Sequence, residues 1–134
     1  MTKQTTNKEN ISEEIITIKK LELPNEFRKE GLLRRLVKFE SGKRDVAIYE
    51  VIKENWKFGS GHRGWEVMQI RYTTKDQEYF GSITPKGTPH LPSNEEFGTY
   101  GWHYLKYESA LKKFNELKNT PLRESHFKKK YVFI

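Results

Sequence analysis

The stretch GTYGWHYLKYESALKKFNELKN, Gly98 to Asn119, narrows the possible folds more than any other part of this chain. Tyr107, Ala110, Leu111, Phe114 and Leu117 recur at three- and four-residue spacing. That spacing puts them on one stripe of a 3.6-residue period and predicts a helix over 107–117. Lys112, Lys113 and Glu116 fall on the other side, and Glu108 sits four residues before Lys112, a favourable pairing along a helix. Lys118 suits the negative end of the helix dipole, and Thr120-Pro121 stops the helix. No Ser, Thr, Asp or Asn stands just before Tyr107 to cap its start. Burying Leu111, Phe114 and Leu117 contributes roughly 1.5–3 kcal/mol each. A lone helix this short is marginal in water, so it must dock on another layer.

The rest of the chain supplies strands for that layer. DVAIYEVIK, Asp45 to Lys53, has Val46, Ile48 and Ile52 on one side and Ala47, Tyr49 and Val51 on the other. Apolar residues on both sides predict a central position. Residues 32–40 alternate loosely, with Leu33, Val37 and Phe39 assigned to one side. Trp65 to Thr73 places Met68, Ile70 and Tyr72 on one face and Val67, Gln69 and Arg71 on a more solvated one. Tyr79 to Thr84 reads as the next strand of a meander, and Thr99 to Leu105 as the last before the helix. Ile11 to Leu23 suits a strand or a helical turn, and Ser93 to Glu96 suits one turn of helix. Strands followed by one helix predict an α+β fold: an antiparallel twisted β-sheet of four or five strands with a C-terminal α-helix on one face. The expected organisation is a polar arm over 1–10, a single α+β domain over 11–119 and a basic, apolar tail over 120–134.

With 134 residues and no cysteine, disulfides and thiolate metal sites are excluded. No apolar run approaches the ~20 residues of a membrane span, and Met1 to Asn10 lacks the apolar core of a signal peptide. The net charge is +7. Residues 31–60 carry +3 and 101–134 carry +5, while 1–30 carry 0 and 61–100 carry −1. Such excess attracts nucleic acid or an acidic protein surface, and it also serves solubility.

Gly59-Ser60-Gly61-His62-Arg63-Gly64 matches G-x-G-x-x-G. Dinucleotide binding needs a helix after the third glycine, and a strand pattern begins there instead. In the same segment Trp56, Phe58 and Trp65 alternate with Lys57, His62 and Arg63. Aromatic platforms beside cations suit single-stranded nucleic acid, since bases stack and phosphates pair with charge. The competing interpretation has Trp56 and Trp65 packed inward to anchor the loop. Lys128, Lys129 and Lys130, between Phe127 and Tyr131, form a second set for phosphates, or a solvated tail. Tyr131, Val132, Phe133 and Ile134 suggest docking on a sheet edge or a partner. His62, His90, His103 and His126 lack metal-ligand spacing. Glu95, Glu96 and His103 do not specify an acid–base set, and no nucleophile elbow occurs. The expectation is therefore a non-enzyme without metal or cofactor.

At DVAIYEV, YFGSITPKG and EEFGTYGWHYLKYESALKKFNEL, the chain resembles small uncharacterised proteins of phages and mobile elements of Bacteroidetes bacteria. The resemblance spans roughly residues 45–119 and implies location in the cytoplasm of a bacterial host cell or in a virion. Tyr49-Glu50 with Ala110, Phe114 and Lys118 is more distantly similar to the WGR domain, a nucleic-acid-associated sheet-plus-helix module. The Trp-Gly-Arg tripeptide itself is missing and the Pro-rich crossover is extra. Together these readings give a binding protein that contacts nucleic acid through basic and aromatic surface. The alternative is a protein–protein adaptor, a virion component or an inhibitor of a host factor, docking through its arm and tail.

Overall fold

The computed structural model describes residues 14–121 and 129–134. In chain order the strands are β1 (Glu14–Ile18), β2 (Glu26–Lys29), β3 (Leu32–Ser41), β4 (Asp45–Ile52), β5 (His62–Gln69), β6 (Arg71–Tyr72), β7 (Gln77–Tyr79), β8 (Ser82–Thr84), β9 (Pro89–His90) and β10 (Gly101–Tyr104). Helix α1 (Tyr107–Asn119) and strand β11 (Lys129–Phe133) follow. The chain groups into two compact units. One contains residues 22–71 and 89–121, the other residues 14–21, 72–88 and 129–134, among those described.

The larger unit is the α+β fold read from the sequence. Its antiparallel sheet has the order β10–β5–β4–β3–β2, and α1 packs on β4, β5 and β10. The dry layer between them consists of Val46, Ile48 and Val67 from the sheet and Ala110, Phe114 and Leu117 from the helix. Trp65, Trp102, Tyr104, Tyr107 and Leu111 ring that layer. Lys106 is the helix N-cap and makes no side-chain capping bond. The helix therefore gains its stability from this apolar face rather than from its start.

Three assignments of faces and strands need correction. Val67 is fully buried beneath α1 and Gln69 is buried too, so β5 is covered on both faces. A bulge between Leu36 and Lys38 adds one residue to β3, and every side chain after it changes face. Leu33 and Phe39 thus lie on opposite faces, and Val37 is exposed. The segment YFGSIT is not one strand of the meander but the hairpin β7–β8. Phe80 (φ 49°) and Gly81 (φ 81°) turn it, both in the left-handed region that a two-residue hairpin loop requires. Glu30 and Gly31 close β2 onto β3 in the same way, which gives the sheet its fifth strand.

In the smaller unit, β1 and β11 pair in parallel, from Glu14 opposite Lys129 to Ile18 opposite Phe133. The pairing continues as Lys20 N–H donates to Ile134 O (2.8 Å) and Ile134 N–H to Ile18 O (2.9 Å). Ile18 is buried, and Phe133 stacks obliquely on Tyr72 with ring centroids 5.5 Å apart. Tyr79, Phe80 and Ile83 of the hairpin are exposed.

Candidate nucleic-acid interface

Residues 53–61 connect β4 to β5, and the loop is closed at its base by Lys53 N–H donating to Gly61 O (2.6 Å). Strand β5 begins inside the glycine-rich segment, at His62. Gly64 is already paired with Val51, so no helix follows the third glycine and the dinucleotide arrangement is absent. Gly64 has a φ of 109°, and a Cβ there would collide with the Tyr104 carbonyl, so this position demands glycine.

Arg63 is the extra residue of a second bulge, because Val51 pairs with Gly64 and Ile52 with His62. A bulge re-aims the side chain it carries. The Arg63 guanidinium lies over the Trp56 ring, 4.7 Å from its centroid, within cation–π range. Phe58 meets Trp56 edge to face, with centroids 5.9 Å apart. Trp56 is 43% exposed and Phe58 78%. Lys57, between them, is exposed as well. Among the described residues neither Lys57 nor Arg63 has a carboxylate partner. The loop thus presents two aromatic faces and two uncompensated cations together.

The two other aromatic and imidazole members of the alternating series go elsewhere. Trp65 packs against Tyr107 at the edge of the helix core, with ring centroids 5.7 Å apart. His62 turns toward it (4.3 Å between centroids), and its Nε2 lies 3.2 Å from Glu50 Oε2 without the geometry of a hydrogen bond. Trp56 is therefore a surface residue and Trp65 the inward one. Of the second basic set, Lys128 lies outside the described residues, Lys129 begins β11, and Lys130 is exposed opposite Ile15. Tyr131, Val132 and Phe133 complete β11, with Ile134 continuing its pairing. The described members of this set belong to the smaller unit and the loop cluster to the larger one.

Several other charges have structural work. Glu96 accepts from Ser93 N–H (3.0 Å) and pairs with Arg71 and with His90 (3.2 Å). The Ser93 amide and the Arg71 guanidinium hold its carboxyl down at about 2. Arg71 also stacks on Tyr100, 3.8 Å from the ring centroid. His103 Nε2 is 2.7 Å from Arg63 O and ties β10 to β5. Among the described residues no three His, Asp or Glu side chains converge as a metal site, and no helix is long and apolar enough to cross a membrane.

Sequence reading missed one site. On the sheet face away from α1, Arg34 and Glu66 are both buried and bonded to each other. Arg34 Nε donates to Glu66 Oε1 (2.7 Å) and Nη2 to Oε2 (3.3 Å), while Nη1 donates to Lys29 O (2.9 Å). They line a cavity of about 190 Å³ between the sheet and residues 91–97. The partners are 32 positions apart, so no local pattern announces them. One signal was available: Glu66 shares the apolar face of Met68 and Ile70, and a carboxylate on a buried face must have a partner.

No protein-family model, curated protein or solved structure matches this chain.

Proposed function

We propose that the chain is a non-catalytic binding protein, encoded by a phage or mobile element, that holds single-stranded nucleic acid on the β4–β5 loop. The observation that carries this reading is the Arg63 guanidinium seated on a Trp56 ring that remains 43% exposed, with Phe58 beside it. A base stacking on Trp56 or Phe58 replaces water on an apolar face, while Arg63 and Lys57 lie close enough to neutralise the flanking phosphates. Nothing in the cluster reads a base edge, so the expected binding is sequence-tolerant. The uneven +7 charge assists encounter.

The test is titration of a single-stranded oligonucleotide at several salt concentrations, compared with a duplex of the same sequence. Single strands should bind more tightly, with an affinity that falls steeply with salt. Trp56→Ala with Arg63→Ala should weaken binding about 5- to 150-fold, given that stacking is worth ~1–3 kcal/mol per base. Unchanged affinity in the folded double variant would remove the loop from the interface.

A second reading, an adaptor for another protein, is favoured by the smaller unit. Its hairpin exposes Tyr79, Phe80 and Ile83 within five consecutive residues, Phe80 to 95%. Exposed apolar clusters of this kind mark protein contacts. Phe80→Asp should abolish capture of a protein partner and leave oligonucleotide binding intact.

A further inference from the structure

The buried Arg34–Glu66 pair is a poor choice for stability alone. Removing two charges from water costs several kcal/mol each, and apolar residues of similar volume often hold such a position equally well or better. Here the pair borders an open volume rather than a filled one. Phe27, Met68, Leu91 and Phe97 supply apolar and aromatic walls, and Lys29 adds a further cation.

The guanidinium is not saturated. Arginine carries five N–H donors. Two go to Glu66 and one to Lys29 O, which leaves one N–H on each terminal nitrogen. Two adjacent donors on a planar group match two adjacent acceptors in one plane. Glu66 fixes the guanidinium before any ligand arrives and cancels its net charge. The volume exceeds the ~150 Å³ that accommodates benzene in an engineered cavity and falls below the ~300 Å³ of drug-sized sites.

We propose that this cavity binds a small planar aromatic ligand bearing two adjacent hydrogen-bond acceptors at one end, held by the free edge of Arg34. Two sources share that chemistry: a guanine base, through O6 and N7, and an aromatic carboxylate. The site shares no residue with the β4–β5 loop, so either can fail without the other.

The experiment is NMR titration of the full chain with guanosine, adenosine and benzoate at millimolar concentrations, following the amides of residues 27–34, 66–68 and 91–97. Guanosine or benzoate should shift these amides, and the one that does identifies the source. Adenosine offers a donor beside its N7 and should bind at least tenfold more weakly than guanosine if the base is the ligand. The variant Arg34→Met with Glu66→Leu should keep or raise the melting temperature and lose the shifts. Leu91→Trp, which adds bulk to an apolar wall of the cavity while retaining the ion pair, should also lose them. No shift with guanosine or benzoate, equal binding of adenosine and guanosine, or shifts that survive either folded variant would overturn the proposal.

Discussion

The two faces of the central sheet are built on different principles. Toward α1, Val46, Ile48 and Val67 meet Ala110, Phe114 and Leu117 in a layer without a buried charge. Toward residues 91–97, the same strands carry Glu66 and Tyr49, and β3 adds Arg34 beside a cavity. The Tyr49 hydroxyl donates to Pro24 O (2.8 Å), and burial pushes it up to about 12. One face holds the fold together by apolar area, which adapts poorly to a ligand because it is already full. The other keeps a paired guanidinium with N–H donors to spare beside open volume, the combination found in binding sites. Strand β4 serves both, which explains its apolar residues on each side.

The sharpest way to break this contrast is to damage each face in turn. Phe114→Ala should cost about 3–5 kcal/mol, because its ring is fully buried between helix and sheet. Urea unfolding of the full chain measures this, and a loss below about 1 kcal/mol would mean that the helix does not carry the fold. On the opposite face, Glu66→Ala should cost a similar ~3–5 kcal/mol by stranding a buried guanidinium. The double change Arg34→Met with Glu66→Leu should restore stability or raise it by about 1–4 kcal/mol. That reversal has no counterpart on the helix face, so its absence would erase the distinction. Tyr49→Phe should cost about 1 kcal/mol, the loss of one buried hydrogen bond.

The smallest expected effect concerns pH. Glu96 has its carboxyl held to about 2 in the folded chain, below the ordinary carboxylate range of the unfolded chain. Its contribution is therefore complete above the ordinary range and is lost as pH falls from about 4.5 toward about 2. Glu96→Gln should flatten the stability–pH curve over that window by lowering stability at neutral pH, and should leave stability below about pH 2 little changed.

The helix and the central strand were legible because each advertises its own period. Tyr107 through Leu117 repeats with helical spacing, and Asp45 to Ile52 is apolar on both sides. What failed was whatever depends on one residue out of step. The bulge beyond Leu36 inverts the rest of β3, and nothing in LLRRLVKFE marks it. Phe80-Gly81 looked like strand interior because Tyr79, Phe80 and Ile83 suit a strand, yet left-handed backbone at both central positions makes a turn. Glu30-Gly31 hid β2 by the same device. In the loop, the alternation of aromatics and cations was visible, but which tryptophan faces outward depends on α1. Tyr107 draws Trp65 inward, while the bulge sends Arg63 to Trp56. The pairing of Arg34 with Glu66 joins β3 to β5 across β4, a relation that only the assembled sheet creates.

The most direct measurement follows the three tryptophan indole N–H signals while a short single-stranded oligonucleotide is added. Trp56 alone stands beside Arg63 on the exposed loop, whereas Trp65 and Trp102 line the helix core. Only the Trp56 signal should move, and added salt should reverse the movement. An oligonucleotide that leaves Trp56 in place, or that shifts Trp102 instead, would contradict the proposed interface.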